Sequence, residues 1–339
     1  MSSTVPLLSV RSLKVQHVLP RPWPWSPVLR LRAVDDVHFN LRAGETLGIV
    51  GESGCGKSTL ARALVGLVPA TSGGIVYGGQ DLTRLTREQW RPLRRDIQMV
   101  FQDPTASLNP RMTIGESIAE PLRALMPELD TAERARRVAA MLERVGLSPT
   151  QINRFPHEFS GGQCQRAVIA RALIVNPKIL ICDEPVTALD VSVQAQIVNL
   201  LRDLQRDSGL AMIFIAHDLA VVRQISHRVL VMYLGKLVEQ AARDELFDSP
   251  RHPYTKALLE AAAAHEPDAE GQPHKPLVGE LPSALEPPSG CVFRTRCPIA
   301  DDPCLREVPH LRRMGATHFA ACHFLDNTHL SAAHAFKAI

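Results

Sequence analysis

Short apolar runs punctuated by glycine alternate with amphipathic stretches along most of the chain, which predicts an α/β fold. Leu7 to Val15 alternates loosely, and Ala33 to Leu41 places Val34, Val37, Phe39 and Leu41 near a period of two, so both read as half-buried strands. Ser72-Gly73-Gly74 and Gly78-Gly79 bracket Ile75-Val76-Tyr77, a short strand closing a β-rich opening. Glu45–Val50, the segment Ile97, Met99, Val100, Phe101, then Ile179–Cys182 and Met212–Ala216 are apolar runs too short for helices. They predict buried strands, with 179–182 a central strand of a parallel sheet. Val229–Met232 and Lys236–Val238 around Gly235 predict a closing hairpin.

The helical signals fall in other places. Leu60–Val65 is helical, and residues 113–176 change character altogether. Thr113-x-x-Glu116 fits a capping box, Asp130-x-x-Glu133 starts a helix ending at Val145 before Gly146, and Ser160-Gly161-Gly162 opens one that runs to Asn176-Pro177. Helix 192–208 carries Val193, Ile197, Leu200, Leu201 and Leu204 on one face and stops at Gly209. The stretch Pro20 to Pro27 is an exposed loop, because its prolines cannot sit in a central strand or helix. Its two tryptophans, Trp23 and Trp25, serve either as a contact patch or as packing for the loop against its own domain.

Composition narrows the class. A chain of 339 residues suggests two domains at roughly 150 residues each. Acidic and basic residues, 35 against 38, nearly balance, so no nucleic-acid partner is expected, although a local basic face stays open. There is no apolar run of about 18 residues and no secretory apolar core in residues 1–10, which gives a cytoplasmic expectation. Seven cysteines, an odd number, suit a reducing compartment.

The chemistry starts at Gly51-Glu52-Ser53-Gly54-Cys55-Gly56-Lys57-Ser58-Thr59, which fits the phosphate-loop pattern G-x-x-x-x-G-K-[ST] between a strand and a helix. The glycines let backbone N–H groups face one anion, and the helix beginning near Lys57 adds its N-terminal dipole. Lys57 can reach the β- and γ-phosphates and Ser58 can ligate Mg²⁺. Asp183 ends a central strand, where doubly wound sheets place ligand groups, and suits the Mg²⁺ shell. Glu184 could polarise an attacking water; the bland alternative makes Asp183 and Glu184 an N-cap pair for the next helix. Gln102 is either a capped strand end or a Mg²⁺ and water ligand. His217, at the end of another core strand, is placed to contact a γ-phosphate.

Gly51–Thr59, Gln102, Phe159-Ser160-Gly161-Gly162-Gln163, Ile179–Glu184, Ala188-Leu189-Asp190 and His217, in that order, resemble the nucleotide-binding subunit of an ABC transporter. Gly51–Lys57, Phe101-Gln-Asp-Pro, Ser107-Leu-Asn-Pro-Arg-Met-Thr, His252-Pro-Tyr-Thr and Cys291-Val-Phe-Arg-Thr-Arg-Cys-Pro resemble the bacterial peptide-importer branch. The resemblance implies a P-loop ABC ATPase fold: a mostly parallel core sheet, an antiparallel β subdomain, a helical insert at about 103–176 within a nucleotide-binding domain 1–250, and a Cys-rich extension 251–339. It implies ATP and Mg²⁺, the latter held through Ser58, Gln102 and Asp183. It also implies a head-to-tail pairing with a second ATPase subunit, expected to be a different chain. Ser160, Gly161, Gly162 and Gln163 of one subunit would then close on the γ-phosphate held by Lys57 of the other, with Asp190 spanning the interface. Glu184 would be the base or water orienter and His217 would fix the γ-phosphate. Gln102 would couple the site to the insert, which rests on two permease subunits served by an external peptide-binding protein. The chain would then sit at the cytoplasmic face of the inner membrane. Phe159 stands where the family often has Leu. Near the family's adenine-stacking aromatic this chain offers His17, with Tyr77 and the tryptophans elsewhere. The same ATPase role would serve peptides or another small solute such as nickel or glutathione. ABC proteins outside transport usually carry a long coiled-coil insert or two cassettes, unlike this chain.

In the tail, prolines make 266–289 linker-like. Cys291, Cys297, Cys304 and Cys322 follow. In a reducing compartment they suggest metal more than disulfide; the lack of a C-x-x-C knuckle lowers the odds of Zn²⁺, and four thiolates with a Cys-Pro step suit an iron–sulfur cluster. The resemblance implies a [4Fe–4S] cluster here. Cys55, Cys164 and Cys182 lie inside the ATPase motifs and are read as small packing residues.

Overall fold

The structure is a computed structural model that describes residues 5–21, 23, 25–187, 189–263 and 279–325. Among the described residues, twelve strands form two sheets. β1 (Leu8–Val18), β2 (Arg30–Leu41), β4 (Ser72–Tyr77) and β5 (Gln80–Asp81) make an antiparallel sheet in the order β2-β1-β4-β5. The second sheet runs β11-β12-β10-β9-β3-β8-β7-β6, from β3 (Thr46–Val50), β6 (Ile97–Val100), β7 (Ile179–Asp183), β8 (Ala211–Ile215), β9 (Arg228–Tyr233), β10 (Lys236–Ala242), β11 (Arg312–Arg313) and β12 (Phe319–Ala320). Strands β9, β3, β8, β7 and β6 pair in parallel. Every residue of β3, β7 and β8 is buried, as expected where helices cover both faces of a parallel sheet.

The β9–β10 hairpin turns antiparallel, and β12 pairs with β10 through Glu239–Ala320 and Gln240–Phe319. The C-terminal residues thus extend the core sheet and cover its edge. Of the linker-like stretch 266–289, residues 279–289 form bends without helix or strand, and the rest lies outside the described residues.

Between β6 and β7 lie helices Pro104–Ser107, Ile114–Leu125, Thr131–Arg144 and Gly161–Leu173. Both bonds of the Thr113–Glu116 capping box are present, and Asp130 caps the next helix at Glu133 N. Gly146 and Gly209 adopt the left-handed conformation at the helix ends read from sequence. The helix opened by Ser160 stops at Leu173 rather than Asn176: Asn176 takes a positive φ of 52°, and Pro177 disfavours helical geometry in the residue before it. Helix Arg87–Asp96 adds to the elements that the sequence predicts; Thr86 and Gln89 box its start, and Trp90 is its one buried residue. Trp23 and Trp25 stack on each other, centroids 5.8 Å apart, and remain 60% and 81% exposed, so the loop is not packed onto its domain through them. No helix among the described residues is long and apolar enough to cross a membrane.

Candidate nucleotide-binding and hydrolysis site

The segment 51–56 leaves β3 between β8 and β9 and ends at helix Lys57–Leu64. Gly56 is the N-cap of that helix at φ 106°, and a Cβ there would lie 2.0 Å from the Ala33 carbonyl oxygen. The loop is therefore wedged against the start of β2, and only glycine fits. Lys57 is buried, its Nζ donating to the carbonyls of Gly51 at 2.7 Å and Glu52 at 3.0 Å. Its Nζ also lies 3.8 Å from Cys55 Sγ; Ser53, Gly54, Cys55 and Gly56 complete the loop before the helix, and Thr59 lies in the first helical turn.

Ser58 Oγ donates to Asp183 Oδ1 at 2.8 Å, bringing the phosphate loop to the carboxyl end of β7. Burial pushes the Asp183 carboxyl above its ordinary range, and the Ser58 bond and nearby Arg62 oppose that. A group that is costly to ionise when buried and bonded to one hydroxyl fits a site completed by a cation.

The next residue, Glu184, has a positive φ of 49°, a strained conformation for a side chain of this size, fixed by its N–H bond to Ile215 O at the end of β8. Its Oε2 receives Gln102 Nε2 at 3.0 Å and Thr187 Oγ1 at 3.2 Å, and His217 Nδ1 stands 3.7 Å away. Adjacent strand ends thus bring Gln102, Glu184 and His217 together, because β6, β7 and β8 are neighbours. The N-cap alternative for Asp183 and Glu184 fails: helix Val191–Ser208 starts at Asp190.

Ser160 and Gln163 form a capping box, Ser160 N donating to Gln163 Oε1 at 3.0 Å and Gln163 N to Ser160 Oγ at 3.4 Å. Ser160 and Gly161 are exposed, while Gly162 and Gln163 are half-buried. The side-chain bonds of Ser160 and Gln163 stay within this cap, so the helix start faces outward on the helical insert. Asp190 is exposed, with no side-chain cap bond, beside Val191, which is 82% exposed; Ala188 lies outside the described residues. Cys55, Cys164 and Cys182 are buried packing residues. Tyr77 is unsuited to stack on a base, being buried with its hydroxyl on Asp96 at 2.7 Å; His17 is half-buried on β1 opposite Leu31.

The tail contributes residues that the sequence did not mark as chemical. Arg296 forks onto Glu52 of the phosphate loop, Nη1–Oε2 2.7 Å and Nη2–Oε1 2.9 Å, and Tyr254 Oη accepts the Glu52 N–H at 2.9 Å. Both sit inside motifs noticed in the sequence, but their partner is 244 and 202 residues away. Cys291, Cys304 and Cys322 are buried and Cys297 half-buried. Burial pushes the Cys291 thiol up to about 11 and that of Cys297 up to about 12, and the other tail thiols push them further in the same direction. Among the described residues, however, no group of three or more His, Cys, Asp or Glu is gathered to hold a metal ion, so the expected metal set, with Zn²⁺ as its alternative, is not assembled as a single-ion cage.

A phosphate loop followed by Lys57 and Ser58, an acid pair at the end of the neighbouring strand and a Ser-Gly-Gly-Gln helix start on a helical insert define an ABC-type ATPase. Residues 34–187 match the ABC transporter family, and residues 238–304 match the C-terminal region of oligopeptide/dipeptide transporters. The chain is 59% identical over 308 residues to the oligopeptide transport ATP-binding protein OppF of Salmonella typhimurium, covering 90% of this chain and 92% of that protein. It is 52% identical over 317 residues to a probable peptide ABC transporter ATP-binding protein, y4tS, of Sinorhizobium fredii, covering 94% and 89%. Among solved structures it resembles the dimeric cassette MJ0796 in a post-hydrolysis state bound to ADP and Pi, with a TM-score of 0.62 and 28% identity over 70% of this chain and 98% of that one. The chain belongs to the ABC transporter ATP-binding family, in its oligopeptide/dipeptide-transporter branch.

Proposed function

We propose that this ATPase energises the import of oligopeptides, working as one half of a head-to-tail pair with a second, different ATPase subunit. The observation that carries the hydrolytic reading is the Glu184 carboxylate, held by Gln102 and Thr187 and faced by His217, beside the Ser58–Asp183 bond. In this reading Gly51–Thr59 hold the ATP phosphates, with Lys57 on the β- and γ-phosphates, and Ser58, Asp183 and Gln102 surround Mg²⁺. Glu184 orients or deprotonates the attacking water and His217 steadies the γ-phosphate. The outward-facing start of helix Gly161–Leu173 offers its dipole to the partner's γ-phosphate, and Asp190 meets the partner across the interface. ATP binds the closed pair more tightly than the open one, and its hydrolysis releases that closure.

The peptide cargo rests on the named relatives and on the matching C-terminal region. Docking on two permease subunits at the cytoplasmic face of the inner membrane is supported by a cleft of about 310 Å³ that reaches Phe101, the residue before Gln102. Leu67, Met99, Phe101 and Pro121 line it, and Leu67 and Phe101 are exposed. An external binding protein would deliver the peptide. The organisation proposed is a nucleotide-binding domain over 1–250, with its insert at about 103–176, and the extension 251–339.

For the tail we propose that Cys291, Cys297, Cys304 and Cys322 hold a [4Fe–4S] cluster. The support is that Cys291, Cys297 and Cys322 lie near enough to Cys304 for its charge to push their thiols up, three of the four cysteines being buried; a cluster is broader than one ion, so its ligands do not converge on a point. The cluster would supply cross-links between the tail's loops. Iron and sulfide measured on anaerobically purified protein test this, and absence of both rejects it.

The hydrolytic reading is tested by Glu184→Gln. The variant should bind ATP as the parent does, lose turnover by at least about a hundredfold and accumulate as a closed pair, as expected for loss of a general base. Parent-rate hydrolysis by the variant would overturn the assignment. Peptide uptake into vesicles carrying the complete transporter should stop with Lys57→Ala.

A further inference from the structure

Glu52 is an acid inside a loop that receives polyphosphate, and the hydrolytic reaction makes no use of it. Its carboxylate would oppose ATP binding, since two like charges a few ångströms apart at a protein surface repel. The structure answers this from the other end of the chain. The Arg296 guanidinium meets both Glu52 oxygens in a parallel fork at 2.7 and 2.9 Å, and its side chain is only 5% exposed against 26% for Glu52. The hydrogen bonds to Glu52 hold the Arg296 pKa above its ordinary value. The guanidinium carbon also lies 6.0 Å from the centroid of the Tyr233 ring. That ring packs edge-on against Phe293 and Tyr254, all three fully buried.

The grip extends to the Glu52 backbone. Its N–H donates to Tyr254 Oη and its carbonyl accepts from Lys57 Nζ. The residue is therefore held at its carboxylate, N–H and carbonyl, and two of these three partners lie beyond residue 250. Arg296 in turn is fixed by the cysteine-bearing loops: it precedes Cys297, and its backbone N–H bonds the carbonyl of Phe293.

We propose that Arg296 is a positioning residue for ATP. It cancels the Glu52 charge and pins the start of the phosphate loop, so that nucleotide affinity depends on the C-terminal module being folded against the ATPase core. This rests on the reading of residues 51–59 as the ATP phosphate cradle.

The test measures Mg²⁺ and a fluorescent ATP analogue binding to the full chain, with thermal melting of each variant alongside. Binding by the parent is the control: its failure would reject the cradle itself, separately from the role of Arg296. Arg296→Met removes the cation and leaves Glu52 charged. It should weaken binding about tenfold, a change equivalent to ~1.4 kcal/mol. Glu52→Gln keeps an acceptor for the guanidinium and should bind at least as tightly as the parent. The double variant Glu52→Gln/Arg296→Met lacks both charges and should recover binding to within about threefold of the parent. A merely structural role for Arg296 would leave the double variant as weak as the single, and that result overturns the proposal. So does Arg296→Met binding within about twofold of the parent. Should Arg296→Met fail to fold, Arg296→Lys, which keeps charge and loses the fork, takes its place. It should bind more weakly than the parent and regain affinity on addition of Glu52→Gln; parent-like binding, or no regain, overturns the proposal.

Discussion

Ser58 Oγ bonds Asp183 Oδ1 at 2.8 Å, so the hydroxyl and the carboxylate proposed for Mg²⁺ already face each other across the join of β7 and the phosphate-loop helix. Asp183→Asn preserves an acceptor for Ser58 and removes the charge. It should lower Mg²⁺ affinity by at least about tenfold and Mg²⁺-dependent turnover in step, while metal-free nucleotide binding changes little. Isothermal titration with and without Mg²⁺ separates the two. The pH dependence follows from the raised carboxyl. Burial lifts its pKa above the ordinary 3.8, so Mg²⁺ binding should fail at a higher pH than an ordinary aspartate would give. The effect on the stability of the cation-free chain runs the opposite way. A carboxyl whose folded pKa exceeds its unfolded one contributes stability below the unfolded value, and loses it as pH rises through the folded value. Asp183→Asn should therefore stabilise the cation-free chain at neutral pH, and a lower melting temperature would contradict this.

Two glycines in the phosphate loop offer a contrast in geometry. Gly54 and Gly56 both have positive φ, 79° and 106°, so alanine is strained at either. A Cβ at Gly54 would meet nothing within 4 Å, whereas one at Gly56 would lie 2.0 Å from the Ala33 carbonyl. Gly54→Ala should cost about 1 kcal/mol of stability and keep ATP binding. Gly56→Ala must push β2 and the loop apart and should lose binding by about a hundredfold, a change of ~2.7 kcal/mol. Equal losses for both, measured by nucleotide titration and thermal melting, would mean that dihedral strain rather than the wedge against β2 sets the effect.

These relationships differ in how far the sequence carried them. Gln102 and Glu184 are 82 positions apart, yet the sequence places each at the end of a buried strand, and parallel pairing puts such ends on one edge. Helix Arg87–Asp96 is polar on nearly every side, contains Pro92 and buries only Trp90, so it has no apolar period to mark it in the sequence. The cysteines of the tail signal metal chemistry, and Arg296 stands between two of them. An arginine between two cysteines carries no signal of its own. Its meaning comes from Glu52, and nothing short of the folded chain brings Arg296, the aromatic trio and the phosphate loop to one place. The outward-facing Ser160–Gln163 cap was legible as a motif, because its bonds are local.

The seam that carries this grip is acid-sensitive by construction. Glu239, fully buried on β10, accepts from the N–H groups of Arg251 at 2.7 Å and His252 at 3.0 Å and contacts His318 Nε2 at 2.6 Å. Burial raises its pKa, but the bonds from His318, Thr255, Arg251 and His252 outweigh this and leave it below the ordinary 4.5. His252 is buried beside it, with Nδ1 accepting the Tyr254 N–H at 3.1 Å and the Phe293 ring against its face. Burial pulls its pKa down to about 4, against the pull of Glu239 and the Ala321 carbonyl. Both folded values lie below the unfolded ones. The contribution of His252 is complete above pH 6.5 and is lost as pH falls toward about 4, and that of Glu239 is lost as pH falls below 4.5 through its own lowered value. Protonating His252 in place should cost on the order of 3 kcal/mol. His252→Asn removes the titration and keeps a short acceptor near the Tyr254 N–H. Relative to the parent, it should melt lower at pH 7.5 and lose less stability between pH 6.5 and 4.5. Because Tyr254 also holds the Glu52 N–H, ATP affinity of the parent should fall over the same interval more steeply than that of the variant. Parallel melting curves for the two proteins across that range would show that the acid sensitivity lies elsewhere.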